Sequence, residues 1–386
     1  FQAEDGIRDL VRSRGLGDVY KRQVLLSRVT RLCTFIAGGW SVIKPRPTQR
    51  RIAEEVGVSR TTVSLVLNNV PGTRITSETR ERILEAARRL NYYPDAAART
   101  LVSGRTQTIG FVLCQSPDSI FVDAFLPEVL RGVGDAVQEQ GFRVLIHSVD
   151  DVTAPEAYIG LVREKHIDGI ILSGPRSDDQ QLLRLKAEKF PVVLLGQLPG
   201  SDIPFVDVDN VGASKQAVKH LIQLGHRRIG MITNAPLAYT AARDRLTGYR
   251  QALVEAGMDY SEDMVRYGDF REESGSEAMR QLLDLLQPPT AVFVASDLVA
   301  FGALLEVKRR GQTVPDDVAL VGFDDVRLAH YVNPPLTTVR LPAYEQGYRA
   351  AMLLTQLIGG KPVEQDEVLL QTELVVRQSC GASHRS

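Results

Sequence analysis

The sequence predicts two folds in tandem: a small all-α helix-turn-helix head, then an α/β core of two Rossmann-like lobes. Three observations carry this. Between residues 48 and 69, two apolar stripes at helical spacing are separated by Gly57. From residue 108 onward, short apolar runs alternate with helical stretches, the pattern of parallel sheets covered by helices on both faces. Charge divides along the same line. Residues 45–105 carry 11 Arg and no Lys against 6 Asp and Glu, whereas residues 106–386 carry 27 basic and 37 acidic side chains. A basic head on an acidic body suits phosphate contact at one end only.

Composition sets outer limits. At 386 residues, the chain is too long for one ordinary core. No apolar run reaches the ~18–20 residues of a membrane span. Cys33, Cys114 and Cys380 are far apart and not spaced for metal, so a reducing, cytoplasmic setting with no disulfide framework is expected. The domains expected are a leader at 1–44, a helix-turn-helix head at 45–93, a hinge helix and linker at 94–105, a two-lobed core at 106–380 and a tail at 381–386.

The leader has no clear periodicity. Residues 1–23 closely resemble a translated sequencing adapter, and the first Met in the chain is Met231. A non-native leader is therefore expected, with the native start near Val42.

In the head, Ile52, Ala53 and Val56 form the first stripe. Gly57 breaks it, Ser59 is a helix N-cap residue, and Val63, Val66 and Leu67 form the second. The second helix opens with Arg60, Thr61, Thr62 and Ser64, side chains able to hydrogen-bond bases or phosphates where a recognition helix enters the major groove. A third helix follows, capped by Thr76 or Ser77, with Ile83, Leu84, Ala87 and Leu90 on its apolar face. Residues 95–101 read as an Ala-rich helix of about two turns, marginal without a partner.

The core reads as strands at 108–113, 143–147, 169–173, 192–195, 205–208, 228–232, 264–267, 291–295 and 318–322. The helical stretches between most of them include 125–140, 213–224, 245–256, 274–286 and 299–310. Two similar sets, 108–205 and 208–325, suggest two lobes with a ligand cleft at the strand ends. Residues 338–341 are expected to cross back between them. Gly132-x-Gly134 lies inside a helical run and is no dinucleotide fingerprint. The six His make no metal spacing, and no nucleophile–base constellation is visible, so neither cofactor, metal nor enzymatic activity is expected.

The segments IAEEVGVSRTTVSLVLN, ITSETRERILEAARRLNYYPDAAARTL and TIGFV together resemble the LacI/GalR family of bacterial transcription regulators. The resemblance is unbroken from about 48 to 112 and looser to Cys380. It implies a core like the type I periplasmic binding proteins. It makes Arg60 and Thr61 the main base readers, with Arg60 paired to a guanine or else clamping a phosphate. Thr62 and Ser64 then contact phosphate. Leu65 stands where many members have Arg, which leaves the operator sequence open. The hinge helix would order on DNA, with Arg99 among its DNA contacts and Leu101 a minor-groove wedge or else a linker contact.

For the cleft, the resemblance implies that Arg245 hydrogen-bonds the effector, the alternative being an Arg–Asp helix cap, with Arg243 structural. Phe270 would stack on the ligand or else belong to the core, and Asp324 would accept ligand hydroxyls or cap a turn. Ser296 stands where members often have Asn. Asp297 joins it as an effector residue or caps the helix that follows. Phe125 and, more weakly, Leu126 match pocket positions, and Ser116 and Ser173 are strand-end hydroxyls. The function implied is a ligand-responsive transcription regulator, a repressor. It would bind pseudo-palindromic operator DNA as a homodimer and answer to a small-molecule effector, a sugar or derivative. The alternatives are a solute-binding protein without a regulatory role and a purine-type corepressor-dependent regulator.

Overall fold

The computed structural model describes residues 47–68, 72–93, 100, 104–117, 124–149, 151, 152, 154 and 156–382. The chain divides into two compact units at Asp95/Ala96. The expected leader at 1–44 and the hinge positions Arg99 and Leu101 lie outside the described residues.

Among its described residues the first unit holds three helices: α1 (Gln49–Val56), α2 (Arg60–Leu67) and α3 (Ser77–Arg89). Each begins on a hydroxyl cap, with Thr48, Ser59 and Thr76 accepting from the backbone N–H of Arg51, Thr62 and Thr79. Such caps satisfy donors that a helix start otherwise leaves open. Gly57 ends α1 at φ 75°, a left-handed conformation that turns the chain tightly into α2. Ile52, Ala53, Val56, Val63, Val66, Ile83, Ala86 and Ala87 close the core. Arg82 ties α3 to α1 by donating to the Val56 carbonyl at 2.9 Å.

The second unit contains two six-stranded sheets. The first lobe is built from β1 (Thr108–Leu113), α4 (Leu126–Glu139), β2 (Arg143–Ser148), α5 (Ile159–Arg163), β3 (Gly169–Ser173), α6 (Gln180–Ala187), β4 (Val192–Leu195) and β5 (Phe205–Val208). The second takes α7 (Asn210–Gln223), β6 (Ile229–Ile232), α8 (Thr240–Glu255), β7 (Val265–Arg266), α9 (Glu272–Leu283), β8 (Ala291–Val294), α10 (Asp297–Arg309), β9 (Ala319–Asp324) and β10 (Thr337–Arg340). The chain then returns to the first lobe for α11 (Ala343–Ile358) and β11 (Glu367–Leu370), and ends in the second with β12 (Glu373–Val375).

Sheet order is β11-β5-β4-β3-β1-β2 in one lobe and β12-β10-β9-β8-β6-β7 in the other. Every pairing is parallel except β10 with β12. The two-sided burial of such strands explains their unbroken apolar runs. In β1, Ile109, Phe111 and Leu113 face α4 and α11, while Val112 faces the α5–α6 side. In β8, Phe293 packs toward α7 and α8, while Val292 and Val294 pack toward α9 and α10. Close helix pairing on the first lobe depends on glycines. A Cβ at Gly132 of α4 would stand 2.1 Å from the Tyr344 carbonyl oxygen, and one at Gly347 of α11 the same distance from that of Val129. This is the structural use of the glycine in 132–134.

The expected strands recur to within a few residues. The lobe boundary is corrected: 205–208 belongs wholly to the first lobe, and each lobe gains strands from beyond residue 325. The expected return near 338–341 is present.

Candidate functional site

In the first unit, Arg60 and Thr61 are exposed at the start of α2, while Thr62, Ser64 and Leu65 are half-buried. The Thr62 hydroxyl lies 2.8 Å from that of Ser59, and the Ser64 hydroxyl accepts from the Asn68 amide at 3.2 Å. The N-cap residue Ser59 thus engages Thr62 and the C-cap residue Asn68 engages Ser64, which leaves Arg60 and Thr61 as the outward pair.

In the second unit, a cavity of about 120 Å³ lies where the carboxyl ends of both sheets meet. This is the favoured ligand position in open parallel sheets. The first lobe contributes Gln115, Ser173, Leu195 and Asp207 from strand ends, Phe125, Leu126 and Val129 around the start of α4, and Gln346 of α11. The second contributes Asn234, Tyr239, Arg245, Phe270, Ser296 and Asp324. Of the expected effector residues, Phe125, Arg245, Phe270, Ser296 and Asp324 come together here, with Leu126 and Ser173. Ser116 is not among the lining residues.

Asp297 is a correction. Its carboxylate is fully buried away from the cavity lining, accepting from the Val326 N–H at 3.0 Å and the Thr338 hydroxyl at 2.6 Å. It does not cap its helix either, since α10 begins at Asp297 itself. It fastens the turn after β9 to β10. Burial, followed by the neighbouring Asp324, pushes its pKa well above the ordinary carboxylate value.

Arg245 is a buried cation held by fixed partners. Its Nε donates to the Asn210 side-chain oxygen at 2.9 Å and its Nη1 to the Ala295 carbonyl at 2.6 Å. The guanidinium lies 3.9 Å from the Phe323 ring centroid, and Nη1 is 3.8 Å from Asp324. Burial lowers its pKa, and Asp324 and Asp207 oppose that. Asp207 accepts from Gln197 at 3.1 Å and from Asn210 at 3.1 and 3.2 Å. Burial raises its pKa to about 6.

Phe270 sits at φ 65°, with its N–H donating to the Asn234 carbonyl at 2.8 Å. Its ring meets Tyr239 edge to face at 5.0 Å, and the Tyr239 hydroxyl donates to the Cys114 carbonyl of the other lobe. Asp324 ends β9 at φ 121°, a conformation unusual for a non-glycine residue. Sequence reasoning missed Gln115, Asp207, Asn234, Tyr239 and Gln346. The first three lie at or within two residues of a strand's carboxyl end, so scanning strand ends for polar side chains finds them. Tyr239 and Gln346 carry no comparable local signal. Among the described residues, no helix is long and apolar enough to cross a membrane, and no cluster of His, Cys, Asp and Glu is placed to hold a metal.

Known proteins share this architecture. Residues 50–95 match the family described as bacterial regulatory proteins, lacI family, and residues 218–380 match a periplasmic binding protein-like domain. HTH-type transcriptional regulator CelR of Thermobifida fusca is 39% identical over 337 residues, 86% of this chain and 98% of the relative. HTH-type transcriptional repressor CytR of Escherichia coli (strain K12) is 36% identical, covering 87% and 96%. A solved CelR–cellobiose complex superimposes with a TM-score of 0.67 at 37% identity, over 86% of this chain and all of the other. A lac repressor dimer bound to operator and an anti-inducer gives 0.76 at 26% identity, over 87% and 99%.

Proposed function

This chain belongs to the lacI family of bacterial regulatory proteins and is a DNA-binding transcription regulator, and we propose that it is a repressor released or recruited by a sugar held between its core lobes. As part of this proposal, the chain works in the cytoplasm as a homodimer whose two heads read a pseudo-palindromic operator. Arg60 and Thr61 contact base edges, and Thr62 and Ser64 contact the backbone. Arg99 and Leu101 extend the contact into the minor groove.

The observation that carries the effector reading is the composition of the cavity. Carboxylate and amide groups from both lobes line it, beside the rings of Phe125, Tyr239 and Phe270. Oxygen acceptors suit hydroxyl donors, and aromatic rings suit the C–H faces of a pyranose. Phe125, Arg245, Phe270, Ser296 and Asp324 are the proposed effector contacts, with Asp297 supporting the Asp324 turn. At about 120 Å³ the cavity is smaller than the ~300–1,000 Å³ of ordinary small-molecule sites. We take an adjustment of the lobes to be what fits a sugar into this space, which ties occupancy to lobe geometry. The relative solved with cellobiose makes a β-linked disaccharide the first candidate.

The test is retardation of DNA carrying inverted repeats from the chain's own promoter region, with and without cellobiose and other sugars. Binding that strengthens at low salt and changes with one sugar is expected. Retardation of the DNA that no sugar alters would remove the sugar-effector reading.

A further inference from the structure

Four buried side-chain polar atoms among the described residues lack a hydrogen-bond partner, and two of them belong to residues lining the cavity: Gln115 Oε1 and Asn234 Oδ1. Their residues are 8% and 5% exposed. A buried amide oxygen left without a donor is costly, and native structures keep few of them. Each lies two residues beyond the carboxyl end of a strand, Gln115 after β1 and Asn234 after β6. Those strands occupy the same place in the two sheets, where the order reverses between β2 and β3 in one lobe and between β7 and β8 in the other. Such a reversal is where parallel sheets receive ligands. The pair is therefore matched across the cavity, one acceptor per lobe.

The charges around the pair narrow the chemistry further. Asp207 and Asp324 line the same cavity, and among the described residues Arg245 is its one lining Lys or Arg. Two arms of that guanidinium are already committed to Asn210 and Ala295. An anionic ligand would meet two carboxylates with one engaged cation to offset them. A ligand rich in neutral hydroxyls meets acceptors on both sides.

We infer that Gln115 and Asn234 are a pair of hydroxyl-binding amides, one from each lobe, that make the cleft selective for uncharged polyhydroxylated ligands over phosphorylated or carboxylated ones. Because each amide belongs to a different lobe, a ligand satisfies both only when the lobes are closed. This rests on the reading of the cleft as the effector site and specifies the ligand class within it.

The experiment is calorimetric titration and thermal shift of the full-length protein with cellobiose, glucose and a ribonucleoside. Each is paired with its anionic counterpart: cellobionate, glucose 6-phosphate and the nucleoside 5′-monophosphate. A neutral member is expected to bind at least tenfold more tightly than its anionic partner. Asn234→Leu and Gln115→Leu are each expected to cut that affinity at least tenfold. Neither should lower the ligand-free melting temperature, since each removes an unsatisfied acceptor. Anionic members binding as well as neutral ones would overturn the inference and leave the effector site standing. Wild-type affinity in both variants would also overturn it, as would lost affinity accompanied by a lower ligand-free melting temperature, the mark of amides that only support the fold. If no member binds at all, the sugar-effector reading falls, and the inference with it.

Discussion

Replacing Asp207 with Asn should stabilise the ligand-free core at neutral and alkaline pH and do little in acid. The carboxylate lies among Gln197, Asn210 and the cavity wall, and burial raises its pKa from 3.8 to about 6. Below about pH 4, folded and unfolded chains both hold the proton, and ionisation adds nothing to stability. Between about pH 4 and 6 the unfolded chain ionises while the folded one resists, so stability falls as pH rises. Above about pH 6 the loss is complete. A rise of about 2 pKa units corresponds to about 3 kcal/mol. Asn at the same place keeps one acceptor for the Gln197 and Asn210 amides and turns an N–H₂ toward the other donor, costing about 1 kcal/mol. The net gain at about pH 8 is then about 2 kcal/mol, vanishing or reversing near pH 4. Urea melts of both proteins across that range measure it, and the difference between them cancels other titrating groups. A variant that is less stable at every pH, or whose advantage is the same at both ends, would refute the reasoning.

Three further outcomes follow from the geometry. Arg60→Ala should weaken operator retardation by about 1–3 kcal/mol and relax preference at one base pair of each half-site. A uniform loss across all sequences with a smaller salt slope would instead make Arg60 a phosphate clamp. Asp324→Ala should abolish the effect of sugar on retardation while leaving operator binding in its absence, and a wild-type sugar response would exclude it from the site. Gly347→Val should lower core stability by about 2 kcal/mol or more, because its side chain meets the Val129 carbonyl where α4 and α11 touch. Calorimetric melting at unchanged temperature would show that the helices part at no cost.

The strands were legible because burial on both faces writes itself into local composition. TIGFVL becomes β1 over the span its apolar run marks, with side chains shared between two helical layers. The edge strands β11 and β12 were not, since β11 alternates exposed and half-buried residues and finds its partner β5 far back along the chain. The same distance hid the role of Asp297. An acid at a strand-to-helix junction reads locally as a cap or a ligand contact. Its carboxylate is instead claimed by Val326 and Thr338, 29 and 41 residues onward. Asn210 was missed for a related reason. A polar residue at a helix start looks like surface, yet here it is buried between Asp207 and Arg245.

That last chain of contacts bears on how a ligand would move the lobes. Asp207 belongs to the first lobe, Asn210 follows the crossover from β5, and Arg245 lies on α8 of the second. Asn210 donates to Asp207 and accepts from Arg245, which in turn donates to the carbonyl of Ala295 after β8. Val208 at this crossover and Leu341 at the next both line the cavity. The groups a ligand would touch are therefore the groups that join the lobes, and no relay through the body of either sheet is needed. A charge-assisted hydrogen bond contributes about 1.5–3 kcal/mol when fully formed. One such bond made in only one lobe arrangement is enough for a tenfold or greater shift in population, which matches the ~1–3 kcal/mol of a typical allosteric coupling. Cutting this chain at Asn210 should thus reduce the sugar response of operator binding more than it reduces affinity for the sugar. Parallel titrations of Asn210→Ala with sugar alone and with sugar plus operator would separate the two, and equal losses would place the coupling elsewhere.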